Sequence, residues 1–194
     1  MVRSGRIATI GVLAAALLAA GLVATPAHDG PIEQTPPDER DLWVSLGARI
    51  HGGFGSLIAV GIRIGDDARQ KLGAAPRELD VTYFTSPEAP CPCVVDGVMV
   101  ATRASPGQAS LRVADAPAGA GLFGRVTIRH KPSGRVLEYA VPAAIWPRLR
   151  DINKEPTGTA RWNAVMAIPA AELMTVREEP VAAAQPAKPQ ETKP

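Results

Sequence analysis

The two ends of this chain decide how much of it can fold. Residues 177–194, REEPVAAAQPAKPQETKP, hold Pro, Ala, Lys and Glu with almost no bulky apolar side chain. Such a segment cannot bury enough surface to offset its ordering entropy, and it reads as a disordered tail. Residues 28–40, HDGPIEQTPPDER, are polar, carry three prolines and show no periodicity, the pattern of a linker. Ahead of them, Arg3 and Arg6 precede an uninterrupted run of apolar and small residues from Ile7 to Ala24, closed by Thr25-Pro26-Ala27. That is the layout of an export signal cleaved after Ala27. The run is close to the length that spans a bilayer, so an uncleaved inner-membrane anchor is the competing expectation. Either way the rest of the chain is expected outside the cytoplasm, in a bacterial periplasm. What remains, residues 41–176, suffices for one domain and not comfortably for two.

Charge narrows the partners rather than the fold. With 21 basic and 19 acidic residues the formal net charge is +2, so no global field recruits nucleic acid or an acidic surface. Contact with a membrane is expected only through the N-terminal segment.

Within 41–176 the pattern alternates between helix and strand. Leu42 to Ile50 starts a short helix with Asp41 as its N-cap. Leu57, Ile64, Ala68 and Leu72 recur at helical spacing and are followed by Gly73, a helix stop, which defines a helix over 55–72. Glu78 to Thr85 alternates and is rich in β-branched and aromatic residues, hence a strand. Val94 to Arg103 is valine-rich and ambiguous between strand and helix. Ala109 to Val113, Gly124 to His130 and Arg135 to Val141 are further strands, the last two joined by a Lys131-Pro-Ser-Gly134 turn. Pro169 to Val176 closes the domain as a short helix. The basic residues of the hairpin, Arg125, Arg129, Lys131 and Arg135, are expected on a wet sheet face.

Chemistry-bearing residues are few. The chain has two cysteines and three histidines. Cys91 and Cys93 flank a single proline, and His51 opens the glycine-rich run His-Gly-Gly-Phe-Gly-Ser. There is no phosphate-cradling loop, dinucleotide fingerprint, serine elbow or paired-histidine zinc motif on a helix. Gly52, Gly53 and Gly55 permit a tight turn that brings His51 against the cysteine segment. Asp96 stands where a helix N-cap is wanted, and capping and a site role remain equal readings. Arg63 is expected to be a surface or ion-paired residue, with a contact to the site as the lesser reading.

Taken together, these blocks resemble the FmdE-like family of formylmethanofuran dehydrogenase components. His51, Gly52, Gly61 and Arg63 match its first motif, His-Gly-His-x-Cys-Pro-Gly-x-x-x-Gly-x-Arg. Cys93, Val95, Asp96, Thr102 and Gly107 match its second, with Ser105 for a threonine and Gln108 for a lysine. Glu172-Leu-Met-Thr-Val-Arg-Glu178 is similar to a third segment near the end of the domain. The resemblance implies an α+β fold, an α-β-α-β-β-β core with a mixed sheet packed against helices, in which the ambiguous stretch after Cys93 is a helix. It also implies a homodimer.

The departures from the pattern fall on its ligands. Gly53, Gly55 and Ala104 stand where the family has His, Cys and Cys, and the C-terminal zinc finger of many relatives gives way to the Pro/Ala tail. Of the donors the resemblance implies, His51 and Cys93 remain, and Cys91 is an addition. Two soft donors are too few for a closed zinc site, but His51, Cys91 and Cys93 together make a three-ligand site with one open position. Asp96 or a substrate would complete it, and Arg63 stands as a second-shell candidate. Zinc is the metal expected, and the sulfur pair suits Cu(I) as well. The leading expectation is therefore an exported protein that binds a metal ion or small ligand through His51 and Cys93, assisted by Cys91. Two alternatives stay open: a metal-free scaffold that binds a partner, and a thiol or redox protein using Cys91-Pro92-Cys93, whose cysteines form a disulfide.

Overall fold

A computed structural model describes residues 40–179. The signal or anchor segment 1–27, residues 28–39 of the linker and the tail beyond residue 179 lie outside the described residues. No helix among the described residues is long and apolar enough to cross a membrane.

The chain begins with two consecutive helices, α1 (Arg40–His51) and α2 (Ser56–Leu72), joined by the glycine-rich turn. Helix α1 starts at Arg40, two residues earlier than expected, so Asp41 lies in its first turn and is not the N-cap. Helix α2 ends where its periodicity predicts and begins one residue later: Gly55 is the N-cap rather than the first helical residue, and Gly73 closes the helix in the left-handed conformation at φ 60°. Its burial exceeds the expected stripe. Leu57, Ile58, Ala59, Val60 and Ile62 are all buried, because α2 touches α1, α3, α4 and α5. Only its second half is one-sided, with Asp66–Arg69 and Asp67–Lys71 pairs toward solvent.

Strand β1 (Leu79–Thr85) follows, then α3 (Val94–Thr102), β2 (Leu111–Pro117), β3 (Leu122–His130) and β4 (Val136–Pro142). Helix α3 resolves the ambiguous valine run. Val94, Val95, Val98 and Ala101 are buried, so a β-prone composition is held helical by packing. The crossing of α2 and α3 is the closest in the fold. A Cβ on Gly61 would lie 2.0 Å from the Val94 carbonyl oxygen, and one on Gly97 would lie 2.1 Å from the Ile58 carbonyl oxygen. The two helices thus meet backbone to backbone.

The sheet has the order β2-β1-β3-β4-β5, with β1 and β2 parallel and the other pairs antiparallel. This is the mixed sheet of an α+β fold. Leu79, Val81 and Tyr83 of β1 alternate toward one face and meet Val126 and Ile128 of β3 and Leu137, Tyr139 and Val141 of β4 in the core. The Tyr139 hydroxyl donates to Asp67 on α2 at 2.7 Å, tying sheet to helix. The opposite face is polar and paired, as expected of the hairpin arginines. Arg125 bonds Glu138 and lies 3.7 Å from the Phe84 ring centroid, Arg129 and Lys131 approach Asp80, and Arg135 bonds Glu178.

The end of the domain departs from expectation. Helices α4 (Trp146–Ile152) and α5 (Gly158–Met166) occupy a stretch without strong periodicity. The closing helix α6 spans only Ala170–Leu173, and Thr175–Glu179 form β5 against β4. Thr175 and Val176, expected in that helix, are therefore in a strand. The first residues of the expected tail, Arg177 to Glu179, are ordered as its continuation. The open edge of β4 and the Arg177–Glu138 and Arg135–Glu178 pairs decide this, and all three are long-range.

Candidate functional site

Three helix ends converge on one cleft. His51 is the last residue of α1. The turn that follows reverses through Gly52 at φ +87°, a conformation that favours glycine, with the Gly52 N–H donating to the Ala48 carbonyl at 2.9 Å. Phe54 turns into the core, and Gly55 starts α2. The turn is pinned from outside: Asn153, the C-cap of α4, accepts the Ser56 N–H at 2.7 Å, and Arg161 of α5 donates from Nη1 to the Phe54 carbonyl at 2.9 Å. Helix α5 is itself capped by Thr157, whose side chain accepts the Ala160 N–H.

The cysteine segment forms the facing wall. Cys93 occupies the N-cap position of α3, and Cys91 and Cys93 are joined by a disulfide with their Cα atoms 5.3 Å apart. Cys93 is buried and Cys91 half-buried. Asp96 lies within the first turn of α3, so the capping reading fails. Its carboxylate takes a 2.7 Å hydrogen bond from Nδ1 of His51, 45 residues away in sequence. That bond sets the His51 tautomer, with the proton on Nδ1 and the lone pair on Nε2. His51, Cys91 and Cys93 line a cleft of about 390 Å³ with Gly55, Asn153 and Arg161.

The structure thus brings together His51, Cys91, Cys93 and Asp96, and leaves Arg63 apart. Arg63 Nη1 donates to the carbonyls of Val165 (3.1 Å) and Ile168 (2.7 Å), fastening the end of α5 to α2. Burial pushes its guanidinium below the usual arginine value, and Asp67 opposes the shift. His130, at the end of β3 and away from the cleft, bonds Ser133 and Glu78. The backbone N–H of Ala75 and then His130 hold the Glu78 carboxyl below its ordinary range, with Lys131 adding to the effect. The sequence reading missed Asn153 and Arg161. Thr157 is a legible N-cap that announces α5 and hence Arg161, whereas nothing local points to Asn153.

The donor set as it stands does not fit a bound metal ion. The two sulfurs are bonded to each other, and Asp96 is engaged with His51. Among the described residues no three His, Cys, Asp or Glu side chains are grouped as metal ligands. What the cleft offers instead is a disulfide with one half-exposed cysteine, on the same cleft as an oriented imidazole.

Fold and cleft together define a small α+β protein with a disulfide-bearing cleft at the meeting of three helix ends. Residues 50–181 match the family model described as FmdE, Molybdenum formylmethanofuran dehydrogenase operon. The chain belongs to that family. No curated protein matches it.

Proposed function

We propose that this FmdE-family chain is an exported thiol–disulfide protein, with Cys91 and Cys93 as the redox couple and the Asp96–His51 pair handling the proton. The observation that carries this reading is the place of the disulfide. It sits on the wall of an open cleft, with Cys91 half-exposed and Cys93 buried behind it. A disulfide also suits an oxidising compartment, which the N-terminal signal pattern supports. An external thiolate attacks Cys91, the S–S bond breaks, and Cys93 leaves as a thiolate. His51 Nε2 accepts the proton of the incoming thiol and returns it to Cys93. The test is equilibration of the full chain against thiol–disulfide buffers with titration of free thiols. A single two-electron transition is expected, and a pair that no dithiol opens under native conditions would overturn the reading. Cell fractionation with N-terminal sequencing tests export, with His28 expected as the first residue.

A second reading, metal binding, is favoured by the Asp96–His51 bond. A carboxylate on one ring nitrogen, leaving the other free, is the arrangement that orients a metal-ligating histidine. In the reduced protein, His51, Cys91 and Cys93 offer three donors to zinc or Cu(I). Metal added to reduced and oxidised samples should bind only the former, and a Cys93→Ser variant should lose it. Equal, negligible binding in all three excludes this reading.

A further inference from the structure

Away from the cleft, the turn between β3 and β4 joins a serine, a histidine and a glutamate in one chain of hydrogen bonds. His130 ends β3, and its side chain is only 11% exposed. Its backbone is held on both sides: the His130 N–H donates to the Arg135 carbonyl and the Lys131 N–H to the Glu78 carbonyl, each at 2.8 Å. Glu78, the residue before β1, takes the Ala75 N–H at 2.8 Å and His130 Nε2 at 3.2 Å on the same carboxylate oxygen. A carboxylate only accepts, so the His130 proton lies on Nε2 and the lone pair on Nδ1. That lone pair faces Ser133 Oγ at 2.8 Å. The Arg135 N–H donates to the same Oγ at 3.3 Å, which occupies an acceptor position and leaves the hydroxyl proton to His130. The turn itself is already closed by the Gly134 N–H, which donates to the His130 carbonyl at 2.8 Å, so the side-chain relay is not needed to form it. Ser133 is exposed, and its own N–H takes no partner among the described residues.

We propose that Ser133 is an activated nucleophile for acyl transfer from activated carboxylic esters, with His130 as its general base and Glu78 as a positioning residue. A serine within hydrogen-bond reach of a base that a third group orients is the arrangement that makes a hydroxyl nucleophilic. Either imidazole nitrogen serves as the base, provided that the other is held as a donor. Ser133 Oγ bonds to the ester carbonyl carbon while His130 Nδ1 takes the hydroxyl proton. The C–O bond to the leaving group then breaks, and His130 returns the proton to the departing oxygen, which leaves as an alcohol. The Ser133 N–H is a donor for the carbonyl oxygen as charge develops there. Water, deprotonated by His130 in the same way, frees the acid and restores the hydroxyl. No cleft residue takes part, so the inference goes beyond the thiol–disulfide reading and does not depend on it.

The experiment treats the full chain with a fluorophosphonate, which modifies activated serines without turning over, and reads the adduct at each serine by peptide mass spectrometry. Ser133 is expected to react about a hundredfold faster than Ser45, an exposed serine of α1 that serves as internal reference. Glu78→Gln should slow Ser133 about tenfold with an unchanged circular dichroism spectrum, and Ser133→Ala should remove the adduct. Because Glu78 also takes the Ala75 N–H, a second measurement needs no variant: in urea, with the relay broken, the two serines should react alike. A native Ser133 no faster than Ser45, or no faster than in urea, overturns the proposal. So does a fast reaction that Glu78→Gln leaves unchanged. Hydrolysis of 4-nitrophenyl acetate tests the acyl step itself: the unaltered protein should exceed Ser133→Ala, and equal rates refute acyl transfer. A disulfide that no thiol opens changes none of these rates, so the two readings fail separately.

Discussion

Replacing Gly61 with alanine tests the packing that positions the cleft. The new Cβ would lie 2.0 Å from the Val94 carbonyl oxygen, 2.8 Å from the Val98 nitrogen and 2.9 Å from the Gly97 Cα. All three are backbone atoms, so no side chain can rotate away. Ordinary contact begins near 3.4 Å against the 2.0 Å here, so α2 and α3 would have to separate by about 1.4 Å. A gap of even 1 Å forfeits up to about half of the dispersion energy along a contact, and overpacking against rigid backbone reaches or exceeds the top of the usual range, about 3 kcal/mol. Alanine gains back about 1 kcal/mol over glycine in helix propensity. The net expectation is a loss of about 2–4 kcal/mol, a large part of the stability of a domain this size. Urea unfolding followed by circular dichroism measures it, with Gly53→Ala as control: a Cβ there meets nothing within 4 Å, and its effect should stay within about 0.5 kcal/mol. A Gly61→Ala protein as stable as the unaltered one would refute the backbone contact and the helix crossing built on it.

Other outcomes follow from single contacts. Arg63→Met should cost about 2–4 kcal/mol in the same assay by stripping the Val165 and Ile168 carbonyls of their donor, and Arg63→Lys should recover less than half. Both tyrosines of the chain are buried: burial pushes the Tyr83 hydroxyl up to about 12, and burial, helped by the bond to Asp67, pushes Tyr139 higher still. The unfolded chain ionises them near the ordinary value of about 10. Their contribution to stability is therefore complete below pH of about 10 and declines above it. Phenolate absorbance should rise only with alkaline unfolding, and a separate step near pH 10 in the folded protein would contradict the burial. Asp96→Ala should release His51 from a single tautomer, read from its ring ¹⁵N shifts, and an unchanged spectrum would remove Asp96 from the site.

What the sequence disclosed and what it withheld divide along a physical line. Helix α2 was legible because spacing and its Gly73 stop are local, and β1, β3 and β4 because alternation is local. Helix α3 was not, since valines buried on several sides carry no period that separates helix from strand. The resemblance to a known family, not propensity, resolved it. Strand β5 exists because β4 leaves an edge open, which Thr175 to Glu179 cannot announce by themselves. The site divides the same way. His51, Cys91 and Cys93 stood out as rare residue types, while the Asp96–His51 bond spans 45 residues and was open to a capping explanation. Arg161 and Asn153 join the cleft only through the packing of α4 and α5.

The disulfide closes a loop around Pro92 alone. The freedom that a cross-link removes from an unfolded chain grows with the loop it closes, and for one this short it is worth roughly 1.5–2 kcal/mol, the low end for such bonds. The core of α2, α3 and the sheet does not depend on it, and the Gly61–Gly97 crossing holds the cleft walls whether or not the sulfurs are joined. The thiol–disulfide exchange proposed above would therefore take place at a point where the shape of the protein is hardly at stake.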